Sequence, residues 1–274
     1  MGVQHVREAG TIPGAEGINL QEGNSRGVLL LHGFGDTPQT LLLLARELSA
    51  AGNDVVVPLL PGHGTSVESF IASRRKDWLE LAREELARIR ATHSSVVLGG
   101  LSMGGALAAI LASEARDIES LILLAPYLDV PARIKLAAGT HWIWSAAAGA
   151  RRSNSPSSIL DPAERKKNLG YGVYSGRLLF ELWRLAASAQ RSLSRITAPT
   201  LLIQSRRDPR IRPAVAERAI AAVGAREKKL VWVEGAGHII TVDYGRAIVF
   251  EEVKAWISRH QMRIQDQPQS TIED

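Results

Sequence analysis

Ser95-Val96-Val97-Leu98 is a short apolar, β-branched run, and Ala106-Leu107-Ala108-Ala109-Ile110-Leu111-Ala112 is rich in helix formers. Between them stands Gly99-Gly100-Leu101-Ser102-Met103-Gly104-Gly105. The first run reads as a buried strand, the second as a helix, and the glycines as the sharp turn that joins them. A turn so tight brings strand and helix backbones together, and side chains beside Ser102 would collide with both. Ser102 itself must take strained backbone angles there. Its hydroxyl is then lifted clear of the sheet at a helix N-terminus, beside an unpaired Met103 N–H.

The same strand–helix rhythm runs through most of the chain. Gly27-Val28-Leu29-Leu30-Leu31-His32, Asp54-Val55-Val56-Val57-Pro58, Ser120-Leu121-Ile122-Leu123-Leu124-Ala125, Pro199-Thr200-Leu201-Leu202-Ile203-Gln204 and Lys229-Leu230-Val231-Trp232-Val233 read as further strands. The continuous apolar run from Gly27 to His32 suits a strand buried on both faces of a parallel sheet, and the run from Ser120 to Ala125 reads as another buried strand. Helices are predicted between them. One starts at Pro38, with Thr37 as cap and Pro38 at the first helical position, and ends at Gly52. Another carries Trp78, Ala82, Leu86 and Ile89 on one face. A third runs from Val215 to Val223, and the last carries Ile248, Val249, Val253, Trp256 and Ile257. The fold class is therefore α/β, a mostly parallel central sheet with helices on both faces.

Two stretches break the rhythm. Residues 1–25 are polar and read as a leading arm with at most one short edge strand. Residues 126–195 lack a buried strand run but hold Trp142, Trp144, Tyr171, Tyr174 and Trp183 and a helical stripe of Leu178, Leu182 and Leu185. That segment is predicted to be a helical cap above the sheet. The expected organisation is a discontinuous core of residues 1–125 and 196–264, the cap of 126–195, and a polar, disordered tail of 265–274.

Reacting groups in open α/β sheets gather past the carboxyl ends of the strands. Those positions hold His32-Gly33-Phe34-Gly35, Ser102, Ser205-Arg206-Arg207-Asp208 and Gly235-Ala236-Gly237-His238. A serine hydroxyl needs an imidazole to take its proton, and the imidazole needs a carboxylate to fix its tautomer. Of seven histidines, only His238 follows a late strand in a glycine-bracketed loop. His32 and His63 read as braces of their own loops, and His141 as a surface or pocket residue of the cap. Asp208 is the favoured acid, with Asp129, after an earlier strand, as its rival. Asp243 reads as a cap of the last helix. The N–H groups of Phe34 and Met103 are placed to receive a developing oxyanion. Arg206, Arg207, Arg210 and Arg212 crowd the Asp208 loop; they read as solvated charge, with an anionic substrate group as the second reading.

Composition removes several function classes. The 274 residues include no cysteine, so disulfides, thiolate metal sites and a cysteine nucleophile are excluded. The net charge of +5 comes from scattered basic clusters without aromatic interleaving, which argues against nucleic-acid binding. No run approaches membrane-spanning length and the first residues lack a signal-peptide core, so a cytoplasmic protein is expected.

Together, Leu29-Leu30-Leu31-His32-Gly33-Phe34, Pro61-Gly62-His63-Gly64, Gly100-Leu101-Ser102-Met103-Gly104-Gly105, the Asp208 loop and Gly237-His238-Ile239-Ile240-Thr241 resemble the α/β-hydrolase superfamily. The nearer resemblance is to the bacterial carboxylesterase and monoacylglycerol lipase group. It implies the α/β-hydrolase fold, a Ser102–Asp208–His238 triad, an oxyanion hole of the Phe34 and Met103 N–H groups, and no metal or organic cofactor. The expected function is carboxylic ester hydrolysis through an acyl-enzyme on Ser102. A monoacylglycerol lipase is the alternative, ahead of a thioesterase or a non-hydrolytic ligand-binding protein on the same scaffold. The expected partner is a small ester or monoacylglycerol, contacted by Gly33, Phe34, Trp142, Trp144, Leu178 and Trp183. Monomer and dimer both remain open.

Overall fold

The computed structural model describes residues 4–6, 10–143, 149–152 and 158–265. Eight strands form one sheet: β1 (Gln4–Val6), β2 (Gly17–Leu20), β3 (Arg26–Leu31), β4 (Asp54–Val57), β5 (Ser95–Leu101), β6 (Ser120–Leu124), β9 (Thr200–Ser205) and β10 (Lys228–Val233). Their spatial order is β1-β2-β4-β3-β5-β6-β9-β10. β1 and β2 pair antiparallel, β2 lies antiparallel to β4, and every later pair is parallel. The leading arm thus holds two strands where the sequence suggested at most one. A two-residue pair, β7 (Arg151–Arg152) and β8 (Val173–Tyr174), stands apart from the main sheet.

Alternation along the strands divides the core in two. Leu29, Leu31, Leu98, Leu121, Leu123 and Leu202 face α3 (Arg75–Thr92), α4 (Met103–Glu114), α7 (Gly176–Ser192) and α8 (Pro213–Ala222). Val28, Leu30, Val97, Ile122, Leu124, Leu201 and Ile203 face α1 (Leu42–Ala50) and α9 (Arg246–Gln265). Strands of this kind must be apolar on both sides, which is why they read as unbroken runs. Trp78, Ala82, Leu86 and Ile89 are the buried positions of α3, as their spacing required. A short helix, α2 (Val67–Ala72), precedes it.

The first helical turn after β3 differs from expectation. Pro38–Leu41 is a 3-10 turn leading into α1, and the Thr37 hydroxyl makes no cap bond. The Asp36 carboxylate takes the Thr37 N–H instead, at 2.9 Å.

Between β6 and β9 lie α5 (Ala132–Gly139), β7, α6 (Pro162–Lys167), β8 and α7. Among the described elements of this segment only α7 has a broad apolar stripe, with Leu178, Leu182, Leu185 and Ala189 buried in the cluster that contains α4. Arg75 Nη1 pairs with Glu181 Oε2 at 2.7 Å and ties α7 to the start of α3. The last helix runs through Gln265, and the predicted tail beyond it lies outside the described residues.

Candidate active site

The end of β5, a one-residue turn and the start of α4 hold Ser102 at φ 55°, ψ −113°. A side chain rarely adopts positive φ, and here the surroundings impose it. Ser102 N–H donates to Leu124 O at 2.9 Å, and Ser102 O accepts from Tyr127 N–H at 2.9 Å. A Cβ on Gly104 would run into the Leu31 and His32 carbonyls, and one on Gly100 into the Gly104 backbone. The glycines therefore answer to contact, as the sequence pattern demanded.

Ser102, His238 and Asp208 come from the ends of β5, β10 and β9 and form one hydrogen-bonded chain. His238 Nε2 lies 2.8 Å from Ser102 Oγ, and His238 Nδ1 lies 2.7 Å from Asp208 Oδ2. With Nδ1–H donated to the carboxylate, Nε2 is left to accept the Ser102 proton. Asp208 also accepts Arg210 N–H at 2.7 Å and Ile211 N–H at 3.0 Å on Oδ1, and Gln204 Nε2 at 2.7 Å on Oδ2. Burial pushes the Asp208 carboxyl up, but the neighbouring His238 and the Arg210 and Ile211 N–H groups outweigh it and hold it below its ordinary value. The rival Asp129 is turned to other work: it pairs with Lys135 at 3.0 Å and Arg218 at 3.4 Å.

The loop after β3 packs against the serine, so that a Cβ on Gly33 would stand 3.5 Å from Ser102 Cβ. His32 fixes that loop. Its Nδ1 bonds Gly33 O at 3.0 Å and its Nε2 accepts Leu60 N–H at 3.0 Å. Burial, aided by the neighbouring His63, pulls its pKa well down, against the Gly33 bond. His63, braced by Pro61 O at 3.1 Å, is lowered by burial to about 4. Both rings are therefore neutral at physiological pH and serve as braces, as expected. The Phe34 ring sits edge-on to Phe70 and Trp78.

A cavity of about 1320 Å³ opens onto Ser102 and His238. Gly33, Phe34, Tyr127, Ile134, Ala137, Leu179 and Leu182 line it. The expected cap contacts are redistributed. Leu178 is fully buried in the core against α4, and its helical neighbour Leu179 lines the cavity in its place. Trp183 packs edge-on to Phe180 at 6.0 Å and does not line the cavity. Trp142 is 74% exposed, and Trp144 lies outside the described residues. His141 bonds Ala138 O at 2.8 Å and tilts against Phe180.

Three polar residues carry more than the sequence disclosed. Asp243 is 1% exposed and accepts from Gly237 N–H at 2.7 Å, Leu160 N–H at 2.7 Å, Asp161 N–H at 2.8 Å and Tyr244 N–H at 2.8 Å. It latches the His238 loop to residues 160–161 rather than capping the last helix. Gln204 orients Asp208; a polar side chain at the end of an apolar buried strand was the available signal. Asp36, on the cavity wall, is pushed up to about 6 by burial, against the Thr37 N–H, Thr40, Asn168 and His238.

A family model described as serine aminopeptidase, S33, matches residues 23–244. The chain belongs to this family. It is 30% identical over 249 residues to the thermostable monoacylglycerol lipase of Bacillus sp. (strain H-257), covering 91% of this chain and 96% of that protein. It is 24% identical over 241 residues to a carboxylesterase of Bacillus subtilis (strain 168), covering 87% and 94%. A solved structure from work on LipS and LipT, two metagenome-derived lipolytic enzymes, superposes with a TM-score of 0.82 at 28% identity, covering 91% of this chain and 100% of that one. As an S33-family chain it has the α/β-hydrolase fold that the sequence resemblance implied. Among the described residues no helix is long and apolar enough to cross a membrane.

Proposed function

We propose that this protein is a serine hydrolase of carboxylic esters, with Ser102 as nucleophile, His238 as general base and acid, and Asp208 as the carboxylate that orients it. The reading rests on the hydrogen-bonded chain from Ser102 Oγ through both His238 nitrogens to Asp208, at 2.8 and 2.7 Å. Ser102 Oγ attacks the ester carbon while His238 Nε2 takes its proton. The carbonyl oxygen becomes an oxyanion received by the Phe34 and Met103 N–H groups. His238 then returns the proton to the departing alkoxide, leaving an acyl-Ser102 ester and a free alcohol. Water, deprotonated by His238, attacks that ester and releases the acid and Ser102. Residues 126–195 act as a cap on the discontinuous core of residues 1–125 and 196–264, because α5, α6, β8 and α7 supply much of the cavity wall.

An aminopeptidase would need a carboxylate to meet the substrate's α-ammonium. The cavity wall offers Arg133, Arg151, Arg165 and Arg210 and, outside the triad, only Asp36 among its described carboxyls. That balance favours an ester. A monoacylglycerol lipase is the second reading, favoured by the resemblance to the Bacillus sp. lipase over most of both chains.

Ser102→Ala is expected to cut p-nitrophenyl butyrate turnover by about a million-fold and to abolish labelling by a fluorophosphonate probe. Turnover or labelling at the wild-type level in that variant rejects the assignment. Higher kcat/KM on a monoacylglycerol than on short p-nitrophenyl esters selects the second reading.

A further inference from the structure

The wall of the cavity is basic. Arg133 comes from α5, Arg151 from β7, Arg165 from α6 and Arg210 from the loop after Asp208. None of the four forms an ion pair with a described carboxylate, whereas Arg206 in the same loop pairs with Glu234 and Arg218 pairs with Asp129. Arg210 differs from the other three in being half-buried and anchored. Its Nε donates to Ser158 Oγ at 3.0 Å, and Ser158 is itself held by its carbonyl, which accepts His238 N–H and Ile239 N–H. The guanidinium is thereby fixed through one nitrogen. Among the described residues no hydrogen bond occupies its two terminal nitrogens, the pair that grips a carboxylate end-on. Tyr127, whose hydroxyl feels the Arg210 charge, lines the same wall. The nearby carboxylates are already engaged: Asp208 with four donors and Asp129 with Lys135 and Arg218.

We propose that the cavity selects esters carrying a second, anionic end, half-esters of dicarboxylic acids, whose free carboxylate is received by Arg210 with the Tyr127 hydroxyl. The inference rests on the ester-hydrolase reading. Arg133 and Arg165, exposed on the cap side of the cavity, add a positive field that draws such substrates in. A volume of about 1320 Å³ leaves room for a chain of several carbons between the reacting carbonyl and the anion.

The test compares kcat/KM for monomethyl adipate and its neutral counterpart dimethyl adipate, followed by titration of released acid, with the glutarate, pimelate and suberate pairs to find the preferred span. In Arg210→Gln the half-ester to diester ratio is expected to fall about 10- to 100-fold, the worth of a charge-assisted hydrogen bond. Arg210→Lys restores part of it. Arg165→Gln, away from the Asp208 loop, lowers half-ester kcat/KM at low ionic strength, and in the wild type about 0.5 M salt does the same while sparing the diester. A ratio unchanged in Arg210→Gln and insensitive to salt overturns the proposal while leaving the ester-hydrolase reading intact. A wild-type protein that cleaves neither ester of any pair overturns both.

Discussion

Two buried carboxyls in this site are driven in opposite directions. Asp208 is surrounded by donors and held low, so the stability it contributes is present at neutral pH and lost as pH falls through its depressed value. Asp36 is buried at the turn after β3, and burial raises it to about 6. The sign follows from proton counting. Below the ordinary carboxyl value of 3.8 both folded and unfolded chains hold the proton. Between there and about 6 the folded chain binds more protons than the unfolded one, so stability falls as pH rises. At about 1.4 kcal/mol per pH unit, the loss reaches about 3 kcal/mol at most. Asp36→Asn keeps an oxygen for the Thr37 N–H and has no charge to bury. Its stability relative to wild type is expected to grow between about pH 4 and about pH 7, read from urea midpoints at each pH. A difference that stays flat over that interval would show that Asp36 does not hold a proton in the folded chain.

At the scale of elements, the site depends on how loops are latched to one another. Asp243 gathers four backbone N–H groups, two of them more than eighty residues away in sequence. Asp243→Ala strips all four of their acceptor, and each unsatisfied buried donor costs about 1–3 kcal/mol. We expect a destabilisation of about 3 kcal/mol or more with a fall in kcat larger than the rise in KM, because His238 follows Gly237 directly. Thermal midpoints and steady-state kinetics check it; a kcat equal to wild type would mean the loop holds its shape without the latch. The sequence could not reveal this. An aspartate three residues before a helix looks locally like a cap, and its real partners are brought near only by the fold. By contrast the strand at Leu98, the glycines around Ser102 and the loop at His238 were legible, because sterics and burial act there on neighbours in the chain. The helix of Leu178, Leu182 and Leu185 was legible in its period but not in its orientation. Leu178 and Leu185 of that stripe are turned into the core against α4, so it is Leu182 and the residue beside the stripe, Leu179, that meet the cavity.

At the scale of the whole molecule, anchoring is uneven in a way that bears on access to Ser102. Strands β3, β4, β5, β6 and β9 and helix α4 are buried almost throughout, and α7 is fixed by its apolar stripe and the Arg75–Glu181 pair. Of α5, by contrast, only Ala138 is buried, and α6 buries no residue at all. Both contribute to the cavity wall, through Arg133, Ile134 and Ala137 on one and Arg165 on the other. The same lack of a private core made this segment hard to read from sequence, since short helices with little apolar surface leave little periodicity. Elements with few buried contacts open locally at a small fraction of the global unfolding free energy. Amide exchange in α5 and α6 is therefore expected to run at least about a hundredfold faster than in α4 and α7 under native conditions. An irreversible acyl-mimicking inhibitor on Ser102 that fills the cavity should slow α5 and α6 selectively. Mass-resolved hydrogen exchange on the free and inhibited protein makes the comparison. Equal protection of α5 and α4 in the free protein would mean that this part of the cavity wall does not open on its own, and substrate would have to enter through the mouth already present.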